Sequence, residues 1–150
     1  MMFPLYIVLD TNILVSALWK NPSVASRLVE AVDSGLLVPV VSDGILDEYH
    51  EVLSRSKFRF APTRYLSLIQ LILQRAERVV PPATAVPMPD ADDAVFYATA
   101  LASRAAGNVT YLVTGNLRHF PQEEFIVSPR TMLDIIGQLH TAAGQKEHQP

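Results

Sequence analysis

Three short, largely apolar runs, Leu5–Leu9, Leu37–Val41 and Thr110–Val113, do most to restrict what this chain can fold into. None alternates apolar with polar residues, so each suits a strand buried on both faces rather than one half in water. A shorter fourth run lies at Phe125–Val127. Helical spacing and capping residues fill the intervals. Asp10-Thr11-Asn12 stands ahead of Ile13, Leu14 and Leu18, and Asn21-Pro22 reads as an N-cap with a first-turn proline, opening a helix to about Ser34 that Gly35 stops. Ser42 caps a helix with Ile45, Leu46, Tyr49, Val52 and Leu53 on one face, and Pro62 starts another with Leu66, Ile69, Leu73 and Ala76 at helical spacing. Asp92 or Asp93 opens an alanine-rich helix to about Ala106, and Ser128-Pro129 caps a last one ending near Leu139. Strands that alternate with helices predict right-handed βαβ crossovers: an α/β fold with a mainly parallel sheet covered by helices on both faces.

At 150 residues the chain is the length of one domain. Residues 1–140 are expected to form it, and the polar residues 141–150 a disordered tail. The proline-rich stretch Val79–Pro89 reads as a stiff surface connection. With no cysteine there is no disulfide framework, thiolate metal site or Cys nucleophile. The apolar start breaks at Asp10, and no other stretch reaches about 18 uninterrupted apolar residues, so no membrane span is expected and the chain reads as soluble and cytoplasmic. Its formal charge of −3 conceals opposed regions: Asp43, Asp47, Glu48 and Glu51 form one acidic group and Asp90, Asp92 and Asp93 another, while Arg55 to Arg78 is basic apart from Glu77.

In parallel sheets ligands sit beyond the carboxyl ends of the strands, and Asp10 and Asn116 each fall just after one. Four places offer side-chain oxygens there: Asp10 with Asn12, Glu48, Asp93 with its acidic neighbours, and Thr114 with Asn116. Each alone has a plain structural reading, since Asp after a strand is often a helix cap and acids favour a helix N-terminus. Together they point further. Three carboxylates brought to one edge would need a compensating cation, and oxygen ligands suit Mg²⁺ or Mn²⁺. His50, His119, His140 and His148 show no zinc-like spacing.

Val8-Leu9-Asp10-Thr11-Asn12-Ile13-Leu14-Val15-Ser16-Ala17-Leu18 resembles the opening motif of PIN domains, a family of metal-dependent ribonucleases. Asp93 to Leu101 resembles that family's third-acid helix, Tyr111 to Asn116 its last strand and turn, and Glu48 falls where its second acid stands. Leu53-Ser54-Arg55-Ser56-Lys57-Phe58 and Asn116-Leu117-Arg118-His119-Phe120-Pro121 are similar to the bacterial subgroup described as toxin components of toxin–antitoxin systems. The resemblance implies a three-layer α/β/α, Rossmann-like PIN fold that cuts RNA with Mg²⁺ or Mn²⁺, is inhibited by a small antitoxin protein and forms a homodimer. It implies that Asp10, Glu48 and Asp93 share one hydrated ion. Asn116 stands where many PIN domains carry a fourth acid, which favours a one-metal arrangement. Thr114 would orient a metal-bound water or stabilise the turn; Asn12 and Ser16 would support Asp10. Arg118, His119, Arg55 and Lys57 are candidate substrate contacts, with Phe58, Phe60 and Tyr65 available for base stacking.

Two other classes compete. A phosphoacceptor or phosphatase on a similar sheet would need a late lysine near the phosphate, and the lysines are Lys20, Lys57 and Lys146. A catalytically weakened PIN-fold module that only binds RNA or protein is kept in play by Asn116. No Gly-Lys-Ser/Thr loop or G-x-G-x-x-G motif follows a strand.

Overall fold

The computed structural model describes residues 4–82, 88 and 90–148, with side chains described through residue 139. The expected strands form: β1 (Leu5–Leu9), β2 (Leu37–Val41), β4 (Thr110–Val113) and β5 (Ile126–Val127), with β3 (Glu77–Arg78) added at one edge. The helices are α1 (Thr11–Trp19), α2 (Val24–Asp33), α3 (Asp43–Leu53), α4 (Pro62–Arg75), α5 (Ala91–Ala105) and α6 (Pro129–His148). The strand order is β3-β2-β1-β4-β5, and every pairing is parallel. Adjacent residues of a strand face opposite sides. Ile7 and Val8 are both fully buried in the central strand, so helices cover both faces and the fold is a three-layer α/β/α sandwich. α5 packs on β1, β2 and β4; α2 and α4 pack on β2, and α6 packs on α2.

Several boundaries differ from the sequence expectation, each for a local reason. α2 begins at Val24, not at Pro22, because Ser23 and Ser26 form a reciprocal capping box: the Ser23 hydroxyl accepts from the Ser26 amide (3.0 Å) and the Ser26 hydroxyl from the Ser23 amide (2.7 Å). α5 opens one residue before Asp92, because the Asp90 carboxylate accepts from the Asp92 amide (2.9 Å). β3 was not foreseen: two charged residues carry no apolar signal, and only pairing with Val40 and Val41 makes them a strand. α6 continues past Leu139 to His148, since no proline interrupts a stretch rich in good helix formers. Much of the proline-rich connection expected over 79–89 lies outside the described residues.

The turn between β2 and α3 brings α3 close to α5. A side chain at Gly44 would place its Cβ 2.7 Å from Val95 Cγ2, so this position needs glycine for the approach. A buried hydroxyl pair continues the contact, Ser42 with Thr99 (2.9 Å), and a second, Ser103 with Thr110 (2.6 Å), ties α5 to β4. On α4 only Leu68, Ile69 and Ile72 are buried; Leu66 and Leu73 remain exposed, so its apolar residues are not all core.

α3 is tied to the end of β1 by one further bond. The fully buried Tyr49 phenol donates to the Leu9 carbonyl (2.6 Å), and burial pushes its pKa well above the usual tyrosine range. Tyr49→Phe leaves that carbonyl without this donor inside the core. Urea unfolding is expected to show a loss of about 1–2 kcal/mol with an unchanged m-value; unchanged stability would show that the bond does not hold the helix.

Candidate active site

The register of the two central strands builds the site. Leu9 pairs with Val113, so the next residues, Asp10 and Thr114, leave the sheet side by side, and the Asp10 amide donates to the Val113 carbonyl (3.0 Å). This junction is where the strand order reverses direction about β1, the place at which open parallel sheets form their ligand crevice.

Asp10 occupies the N-cap position of α1 without completing a side-chain capping bond. Its carboxylate instead accepts from the Thr114 hydroxyl (2.7 Å) and the Asn12 amide group (3.2 Å). The Thr114 hydroxyl in turn accepts from the Asn116 amide (3.0 Å), and Asn12 Oδ1 from the Gly115 amide (3.3 Å). The sequence left Thr114 between orienting a water and stabilising the turn. In the structure its hydroxyl joins Asp10 to the turn in one hydrogen-bonded chain. Asn12 thus bonds to Asp10, whereas Ser16 is exposed and forms no hydrogen bond to it; Ser16 lines a cleft of about 350 Å³ with Asn12, Ser23 and Asn116. The Asn116 side chain is exposed at the mouth of that cleft.

Three carboxyl groups here have raised pKa values, each chiefly through burial. Asp10 is the most enclosed; the Thr114 bond, the nearby amides of Thr11 and Asn12 and the charge of His119 pull it partly back. Asp93, on the first turn of α5, is raised further by Asp10 and Asp90 and lowered by His119, whose Nδ1 lies 3.4 Å from Asp93 Oδ2. Half-buried Glu48, on α3, is raised further by Asp92 and Glu51 and, more weakly, by Asp10, while Arg55 lowers it. Asp10 is therefore the hub that couples to both other acids. Among the described residues no three acidic or histidine side chains are grouped closely enough to hold an ion as they stand. The link among Asp10, Glu48 and Asp93 is electrostatic, not a formed ligand set. Their chemistry nonetheless suits a hard cation: the donors are oxygens, burial raises all three, and neighbouring negative charge raises Glu48 and Asp93 further.

Asp92, grouped with Asp93 in the sequence but not named among the site residues, is the neighbouring charge that raises Glu48 most. Its place beside Asp93 was the available signal. His119, a candidate substrate contact, lies beside Asp93. Arg118 is exposed and lines two clefts, one of about 440 Å³ with Thr114, Asn116 and His119 and one of about 510 Å³ with Phe120 and Glu123. Arg55 is held by Glu51 (2.7 Å), and Lys57 lies over the Phe58 ring, 5.0 Å from its centre. No helix among the described residues is long and apolar enough to cross a membrane.

A family model described as PIN domain matches residues 6–118, from β1 to the turn that carries Asn116 and Arg118. Among solved structures, the chain is similar to the crystal structure of VapBC2 from Rickettsia felis bound to a DNA fragment from their promoter. The TM-score is 0.52 at 20% identity, covering 83% of this chain and 97% of that one, a likeness of fold. No curated protein matches the chain by sequence.

A carboxyl raised in the folded state binds its proton more tightly there than in the unfolded chain. Its effect on stability is therefore most favourable below the unfolded pKa of 3.8 and is lost as pH rises through the folded value. Asp10→Asn is thus expected to raise Tm at pH 7 in EDTA, with the advantage over wild type shrinking as pH falls toward 4. An equal or lower Tm at both pH values would contradict the buried, uncompensated carboxylate.

Proposed function

The chain belongs to the PIN domain family, and from that premise we propose that it is a Mg²⁺- or Mn²⁺-dependent endoribonuclease, the toxin of a toxin–antitoxin pair. One observation carries the reading: a buried carboxylate, Asp10, aligned by Thr114 and Asn12 at the crevice of the sheet and coupled to Asp93 and Glu48. Asp10, Glu48 and Asp93 would hold the ion. A divalent ion bound there supplies charge neutralisation at a phosphodiester and a more acidic water.

The residues of the chain do the rest. Thr114 and Asn12 keep the Asp10 oxygens in one orientation, at no reorganisation cost when substrate arrives. His119 steadies Asp93. Glu48, with its raised pKa, is suited to take a proton from an attacking water. Arg118, beside the Asn116 turn, and Arg55 and Lys57, beyond α3, would meet the phosphate backbone. Asn116 accepts a hydrogen bond without adding charge, consistent with a single ion. The exposed Leu66 and Leu73 on α4 fit a contact with a second copy in a homodimer, and a small antitoxin would bind near the same helices. A cytoplasmic location fits an RNA substrate.

The second reading, a weakened module that binds RNA or protein without cutting, is favoured by the absence of a fourth carboxylate at Asn116. One assay separates the two. With Mn²⁺ or Mg²⁺ the protein is expected to cleave RNA, EDTA to stop it, and Asp10→Asn or Asp93→Asn to slow it by roughly 100-fold or more with the fold intact by circular dichroism. Thr114→Val is expected to weaken apparent metal affinity by roughly 10- to 100-fold. Equal cleavage by wild type and the aspartate variants would refute the assignment, and RNA binding without metal-dependent cleavage would establish the second reading.

A further inference from the structure

The last turn of α1 carries the one tryptophan of the chain, Trp19, and it is 66% exposed. It is not isolated. Phe58 and Phe60, on the loop between α3 and α4, stack on each other (centroids 5.5 Å apart, 10° between planes) and meet the indole in T-shaped geometry at 5.5 and 6.2 Å. The Arg64 guanidinium donates to the Leu18 carbonyl (2.8 Å), clamping the start of α4 to this turn of α1. Arg59, between the two phenylalanines, takes the left-handed backbone conformation (φ 55°), so the loop reverses there and sets Phe58 and Phe60 together. An indole that meets two aromatic rings in T-shaped geometry and is still two-thirds open offers a flat π-surface to a partner.

The surrounding charge is of one sign. Neither residues 11–29 nor residues 52–76 contain an aspartate or glutamate, while Lys20, Arg55, Lys57, Arg59 and Arg64 all lie in these two segments. Of these, Arg55 has a carboxylate partner, Glu51. An exposed aromatic side chain among segments whose only charges are cations matches a single-stranded nucleic acid, whose bases stack and whose phosphates the cations meet. A duplex hides its base faces, and acidic side chains offer the indole no aromatic ring to stack on. The position fits as well: α1 starts at the acidic site and ends at Trp19, about 13 Å away at the helical rise.

We propose that Trp19, supported by Phe58 and Phe60 and flanked by Lys57 and Arg59, is a base-stacking platform that holds an unpaired base of an RNA strand running from the acidic site along α1. The proposal rests on the ribonuclease reading for its substrate, but not for its test. Because Trp19 is the only tryptophan, its fluorescence reports the platform directly. The full-length protein in EDTA is titrated with a short single-stranded oligouridylate, the same strand in a duplex, an abasic ribose-phosphate oligomer and polyglutamate. Saturable quenching by the single strand alone is expected, together with a loss of affinity of roughly 5- to 150-fold in Trp19→Ala and a smaller loss in Trp19→Phe. Lys57→Gln is expected to lower the salt dependence of binding while keeping the quench.

Equal quenching by the abasic oligomer, or undiminished affinity in Trp19→Ala, would overturn the platform. Quenching by polyglutamate but not by RNA would instead make the patch a protein-docking surface and also overturn it. Metal-dependent cleavage without quenching removes the platform and leaves the nuclease reading; quenching without cleavage does the reverse.

Discussion

The hydrogen bond from Thr114 to Asp10 joins the two central strands at the place where both leave the sheet. It depends on the parallel register that pairs Leu9 with Val113, so any slip of β4 against β1 would remove it. It also keeps a carboxylate in a buried place that desolvation disfavours. The cross-strand bond, the Asn12 clamp and the turn amides of Gly115 and Asn116 form one connected set, which makes the end of β1 rigid where its chemistry requires rigidity. Tyr49 works toward the same end from the other side, fixing α3, and with it Glu48, to the Leu9 carbonyl.

This arrangement places cost and purpose at the same atoms. A buried acid whose neighbours are also acids weakens the folded state at neutral pH and is worth keeping where a cation is to be attracted. Elsewhere the fold is conservatively built: Ile7, Val8, Leu112 and Val113 fill a core with no exposure, and the buried hydroxyls of Ser42, Thr99, Ser103 and Thr110 satisfy one another. The conflict between local stability and charge is confined to the strand ends.

The formal charge of −3 says little about partners, because the charges are sorted in space. Acids gather at the carboxyl edge of the sheet, whereas the end of α1 and the loop into α4 are purely basic. Within the basic stretch the structure also separates cations already engaged from those that stand open. Arg75 and Arg78 lie near Asp33 and Asp43 (3.6 and 3.5 Å), and Arg64 is spent on a carbonyl. A count along the sequence could not make that division, since each partner lies on another element.

The strands β1, β2 and β4, the α/β class and the acids at strand ends were legible in the sequence because they rest on local signals: unbroken apolar runs, capping residues, and Asp10 directly after a run. Boundaries that turn on reciprocal bonds, such as Ser23 with Ser26, were misjudged by a residue or two, and β3 was invisible because only its neighbour makes it a strand. What the sequence alone determined is therefore which residue types stand at which strand ends. What only the tertiary structure decided is how they meet: Thr114 on Asp10, His119 on Asp93, Asp92 nearest in effect to Glu48, and Trp19 against Phe58 and Phe60. Those pairings join residues far apart in the chain, and such contacts are set by strand register and helix packing, which no local pattern encodes.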